Sequence, residues 1–155
     1  LLALHDEVSF TFAGRGPDEL WLRSQFEHEP RVHITSYQAE DALNVHLSHD
    51  IAVVPSLWSE GPSLSLAEGM AAGCAVISTN VGGMTNLILD GYNGLLIDPT
   101  TEALTNALER LVSDPELAAK LGRRGRDTAE NSFSLERWKK DWVALLKSLP
   151  GGEHS

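Results

Sequence analysis

Ile51-Ala52-Val53-Val54-Pro55 is apolar at every position and runs into a loop that opens a helix-compatible stretch. A strand with no polar residue on either side needs cover on both faces, which helices on a parallel sheet supply. Val8–Ala13 is a second, nearly continuous apolar run, and Val32–Thr35, Ala75–Ser78 and Gly94–Ile97 are further β-rich runs. Helix-compatible segments separate them, at about Asp18–Phe26, Glu40–Leu47 and Ser63–Ala72, with a short turn near Thr85–Leu89. Strand, helix, strand, helix predicts an α/β fold, with a Rossmann-like parallel sheet and helices on both faces.

Punctuation agrees with this order. Gly14-Arg15-Gly16-Pro17 closes the first strand, and Asp18 is placed to cap the helix after it. Asp90-Gly91-Tyr92-Asn93-Gly94 carries a turn dipeptide. Beyond Asp98-Pro99 the pattern turns wholly helical. Leu104, Leu108 and Leu111 mark one helix face, Asp114-Pro115 starts the next helix, and Ser134 caps a last one. That last helix carries Leu135, Trp138, Trp142, Leu145 and Leu149 as one apolar stripe, and Pro150-Gly151-Gly152 ends it. Residues 1–149 form one domain in this reading, with 150–155 a disordered tail.

Composition removes several functions. The net charge is −10, the opposite of what a phosphate-backbone surface needs, so nucleic acid is excluded as a partner. The late basic residues, among them Lys120, Arg123, Arg137 and Lys140, read as solvated helix faces. A single cysteine, Cys74, rules out an internal disulfide, fits buried packing and suits a reducing, cytoplasmic setting. No signal peptide is visible, and without an initiator Met the chain reads as a fragment or processed product. Leu1–Leu4 reads as the end of a crossover helix whose strand is missing.

The informative loop runs from Trp58 to Gly73. It follows an apolar strand, where ligands bind in open α/β sheets. A helix start there offers unpaired N–H groups and a positive dipole end, which suit phosphate. Gly61 permits close approach of a ligand to the backbone, and Pro62 suits a first turn. Glu60 sits in the loop mouth and Glu68 about two turns along the helix. Two such acceptors can hold sugar hydroxyls on either side of a diphosphate. The competing reading of Glu68 is structural, because Ser65 and Glu68 have capping-box spacing. Both stay open on residue chemistry alone.

Other motifs are weaker. Gly61-x-Ser63-x-Ser65 imitates a nucleophile elbow, but Ser65 replaces the last Gly and the only later histidine is His154 in the tail. Gly14-x-Gly16 lacks the third glycine of a dinucleotide fingerprint. His46-x-x-His49 places two imidazoles on one helix face without a third ligand, so no metal site is read from it.

Glu60 and Glu68 make E-x7-E within Ser59-Glu60-Gly61-Pro62-Ser63-Leu64-Ser65-Leu66-Ala67-Glu68-Gly69-Met70-Ala71-Ala72-Gly73. This stretch resembles the signature of retaining glycosyltransferases of family 4, which have the GT-B fold. The likeness continues through Ala75–Gly83, Asp90–Leu96, Asp114–Leu117 and Phe133–Arg137, and upstream through Phe12–Pro17 and Arg31–Ile34, so it covers nearly the whole chain. It implies the donor-binding C-terminal half of an enzyme that transfers a sugar from a nucleotide-sugar, with retention of configuration. It places Glu68 on the donor ribose and Glu60 beside the donor sugar as the catalytic candidate. It puts the amides of Gly61, Pro62, Ser63 and Leu64 near the sugar hydroxyls and diphosphate, with Gly82 and Gly83 as further backbone partners. His33–Tyr37 would lie near the base.

Two departures qualify the match. Thr85-Asn86 stand where the family commonly has Pro-Glu, so Asn86 carries no assigned role. The family's first strand, with its Arg and Lys for the diphosphate, is missing, as is the N-terminal acceptor domain. The chain alone is therefore expected to be inactive, to need no metal or cofactor, and to self-associate through its last helix or an open sheet edge. The alternatives are a related GT-B epimerase or phosphorylase, or a non-catalytic ligand-binding or assembly domain.

Overall fold

A computed structural model describes residues 5–59 and 61–149. The expectations for Leu1–Leu4, for Glu60 and for the tail at 150–155 lie outside these residues. Strand and helix alternate as expected: β1 (Phe10–Ala13), α1 (Glu19–Gln25), β2 (Val32–Thr35), α2 (Ala42–Leu47), β3 (Ile51–Val54), α3 (Leu64–Ala72), β4 (Ala75–Thr79) and β5 (Leu95–Ile97). Three helices follow, α4 (Thr101–Ser113), α5 (Pro115–Ser132) and α6 (Leu135–Ser148).

Every strand pair is parallel, but the strands form two sheets, β1-β2 and β3-β4-β5. The larger sheet is covered on both faces. Val76 of β4 and Ala52 of β3 face Leu66, Met70 and Ala129 from α3 and α5. Ala75 and Ile77 of β4 face Ala107, Leu111 and Leu121 from α4 and α5. β4 is buried at all five positions, as a central strand between two helical layers must be. β1 departs from the expectation, because Phe12 is 40% exposed. Ser9 and Thr11 interrupt that run, and the strand has a neighbour on only one side.

Helix ends follow their caps, with corrections. Thr100, Asp114 and Ser134 each accept the N–H three residues on, at 3.1, 2.9 and 3.4 Å. Asp18 stands at the start of α1, but its side chain makes no capping bond. The helix expected over Glu40–Leu47 begins as a 3-10 turn, Ala39–Asp41, and the turn expected near Thr85–Leu89 is a 3-10 helix at Gly82–Asn86. Asn93, read as a plain turn residue, is fully buried. Its Oδ1 accepts from the Leu89 N–H at 2.7 Å, and its Nδ2 donates to the Leu87 carbonyl and to Thr128 Oγ1 on α5. A turn polar group this deep needs all of those partners.

Cys74 is buried as expected, and its Sγ–H donates to the His46 and His49 carbonyls at 3.2 and 3.3 Å. Burial pushes this thiol up to about 11, which keeps it protonated and unreactive at neutral pH. His49 acts as a local fastener. His49 Nδ1 donates to the Val45 carbonyl at 2.7 Å, which leaves Nε2 to accept from Thr11 Oγ1 at 2.8 Å. No helix of the described residues is long and apolar enough to cross a membrane.

α5 crosses the sheet at glycines. A Cβ on Gly122 would collide with the Gly73 carbonyl, which is backbone and cannot rotate away. Gly73 holds a left-handed φ of 85° where it ends α3, so the clash cannot be relieved there without breaking that cap. Gly122→Ala is therefore expected to destabilise the fold by about 1–3 kcal/mol. Gly14→Ala, with nothing within 4 Å of the added carbon, should leave stability almost unchanged. Thermal melts of both variants beside the parent check this contrast.

Candidate functional site

The loops after β3 and β4 meet at the carboxyl edge of the larger sheet, the place where open parallel sheets bind ligands. Two buried hydroxyls fix the base of these loops. Ser78 Oγ donates to the Val54 carbonyl at 3.3 Å, and Thr79 Oγ1 donates to the Ser56 carbonyl at 2.6 Å. Sequence reasoning missed both as positioning groups. Their signal was faint: two hydroxyls closing an apolar strand.

Above that base the backbones touch. A Cβ on Gly83 would lie 2.5 Å from the Pro62 nitrogen and 2.7 Å from the Gly61 carbonyl carbon. Only glycine fits there, and Gly82 beside it takes a left-handed φ of 52°. The structure thus brings together Gly61, Pro62, Gly82 and Gly83 in one backbone-lined corner.

Ser63 caps α3, its Oγ accepting the Leu66 N–H at 3.4 Å. The capping-box reading of Ser65 and Glu68 is thereby corrected, because the cap lies two residues earlier and Glu68 is beyond its reach. With Ser63 capping the Leu66 N–H, the Leu64 and Ser65 N–H groups have no partner among the described residues at the helix start, beside the glycine corner. Glu68 follows one turn after Leu64, partly buried, with no hydrogen bond or ion pair among the described residues. Desolvation raises its pKa above the ordinary carboxylate range.

Not every candidate joins this cluster. His33 is exposed on β2, opposite Thr11, in the smaller sheet. Glu60 lies outside the described residues. Asn86 ends the 3-10 turn and is exposed.

A partly buried carboxylate can accept hydrogen bonds from hydroxyls, and helix-start and glycine amides can donate to anions. Residues 1–128 match the family described as "Glycosyl transferases group 1". Over 135 residues the chain is 40% identical to a D-inositol 3-phosphate glycosyltransferase of Rhodococcus opacus, covering 85% of this chain and 29% of that protein. Its fold resembles that of Anabaena HepE in complex with UDP-glucose, with a TM-score of 0.81 at 22% identity over 94% of this chain and 42% of that one. It also resembles the C-terminal domain of a glycosyl transferase group 1 family protein from Francisella tularensis, with a TM-score of 0.74 at 23% identity over 86% of this chain and 74% of that one. The chain spans between a fifth and a third of the length of the curated relatives it matches.

Burial opposes the charged form of Glu68, so its cost to stability is absent in acid and complete once pH has risen past the raised pKa. Glu68→Gln should therefore be at least as stable as the parent at neutral pH, and the two should converge in acid. Chemical denaturation across pH 4–8, bracketing the ordinary carboxylate value of about 4.3, measures this. A Gln variant clearly less stable at neutral pH would give Glu68 a structural role instead.

Proposed function

The chain belongs to the glycosyl transferases group 1 family, and from that premise we propose that it is the donor-binding half of an enzyme that transfers a sugar from a nucleotide-sugar to an acceptor with retention of configuration. One observation carries this reading. Glu68 is partly buried and has no polar partner among the described residues, one turn along a helix whose Leu64 and Ser65 amides also lack one there, and the capping duty at that helix start belongs to Ser63. In the transfer, the bond between the anomeric carbon and the diphosphate oxygen breaks, and its electron pair leaves with the nucleoside diphosphate. The acceptor hydroxyl oxygen bonds to that carbon and gives its proton to the departing diphosphate oxygen.

Each residue takes a part in that balance. Glu68 accepts from the ribose hydroxyls. The amides around Gly61–Leu64, with the Gly82–Gly83 backbone, face the diphosphate and favour the charge that grows on it. Glu60 stands beside the donor sugar as the catalytic candidate, and His33 serves the base from the smaller sheet. Helix-end amides neutralise the leaving group without a metal. The acceptor is bound by polypeptide outside residues 1–155, and the enzyme works in the cytoplasm.

The stripe on α6 supports a missing partner half. Trp138 and Trp142 are 58% and 47% exposed, their rings 6.0 Å apart, with Leu135 and Leu145 equally open. An apolar face of this size on a helix seeks cover. The acceptor-binding half covers it in the longer protein, and the chain alone self-associates through it. Sedimentation velocity should show oligomers that a Trp138→Ser, Trp142→Ser variant loses. A monomer at high concentration would sink this assignment.

Uridine and guanosine diphosphates, titrated into the chain and followed by amide chemical shifts, test the donor site. Binding should be weak, roughly millimolar, with shifts concentrated at Gly61–Leu64, Glu68 and Gly82–Gly83. Glu68→Ala should remove those shifts without lowering the melting temperature, and no sugar transfer should be detectable. Shifts that persist in Glu68→Ala would contradict the proposed role, and turnover by this chain alone would contradict the half-enzyme.

A further inference from the structure

From the carboxyl ends of the five strands the chain runs into 14–18, 36–41, 55–63, 80–86 and 98–100. These segments carry Asp18, Glu40, Asp41, Glu60 and Asp98 against a single basic residue, Arg15. A nucleoside diphosphate brings further negative charge to this acidic edge, and like charges at close range repel. A helix start answers with about half a positive charge, whereas a guanidinium carries a whole one. On charge alone, a diphosphate at this edge calls for Arg15.

The fold brings Arg15 to the right place. His49, just ahead of β3, bonds Thr11 near the start of β1 at 2.8 Å, so the two strands start side by side and end at one edge. Arg15 after β1, Pro55 after β3 and Ser65 in the first turn of α3 line one cavity of about 650 Å³. Arg15 is exposed and makes no hydrogen bond or ion pair among the described residues, with Asp18 or any other group. The other two arginines ahead of α2 are engaged, Arg23 with Glu19 at 2.9 Å and Arg31 with Glu29 at 2.9 Å. Gly14 and Gly16 flank Arg15, and a Cβ on either would meet nothing within 4 Å, so the side chain has open space around its root.

We propose that Arg15 binds the diphosphate of the donor, reaching from the loop after β1 to phosphate oxygens held at the start of α3. The inference rests on the donor-site reading above and adds a cation to it. A guanidinium presents two parallel N–H groups to two phosphate oxygens and stays charged at any working pH. Its attraction strengthens as the sugar departs and charge grows on the diphosphate, so it favours the transition state over the bound donor. Arg15 thus serves the phosphates and not the nucleoside.

The test separates phosphate from nucleoside. Uridine and guanosine, with their mono- and diphosphates, are titrated into the chain and into its Arg15→Gln and Arg15→Lys variants. Amide chemical shifts at Leu64, Glu68 and Gly83 report binding. Arg15 has no partner to lose, so the three melting temperatures should agree. Arg15→Gln should weaken diphosphate binding at least about fivefold, as loss of one charge-assisted contact would, and leave the nucleosides unchanged. Arg15→Lys should recover part of that loss, and added salt should weaken the diphosphate more in the parent than in Arg15→Gln. Equal diphosphate affinity in parent and Arg15→Gln would overturn the role of Arg15 and leave the donor site standing. An equal loss for nucleoside and diphosphate would assign Arg15 to the nucleoside, which also overturns it. Silence at Leu64, Glu68 and Gly83 with every ligand would overturn the donor-site reading itself, and this inference with it.

Discussion

A strand buried at every residue has no water for its polar side chains, and β4 ends in two of them. Ser78 and Thr79 therefore have to find acceptors within the protein, and they find the Val54 and Ser56 carbonyls of the neighbouring strand and its loop. That requirement ties the exit of β3 to the exit of β4. The loop that leads into α3 is thus anchored at its root, and the glycine corner can form above it. The candidate site depends on two buried hydroxyls at its base.

The same economy of space recurs wherever α5 and the loops press on backbone. Gly83 meets Pro62, Gly122 meets Gly73, and Gly94 meets Val76 at distances no side chain allows. Close approach holds the helical layer against the sheet and brings two loops into backbone contact. Small residues at these points let main-chain amides, rather than side chains, line the corner.

Much of the architecture was legible in the chain. Ile51–Val54 required two-sided cover, the caps at Asp114 and Ser134 set helix starts, and the loop at Gly61–Leu64 opened a helix beside a strand end. Asp18 and Ser65 were less well placed, because several residues near a helix start share capping chemistry and only backbone angles choose among them. The turn at Asp90–Gly94 formed as expected, but the burial of Asn93 within it was not legible. A turn residue looks the same in sequence whether it faces water or a packed helix.

Local pattern determined the order of elements, the parallel sheet and the residues that could serve a phosphate-bearing ligand, since periodicity and turn chemistry act over a few neighbours. Tertiary structure decided the rest. It gave the cap at the start of α3 to Ser63 rather than Ser65, set Gly83 against Pro62, and left His33 on a separate sheet. These outcomes depend on which residues distant in the chain share one volume, and only packing fixes that.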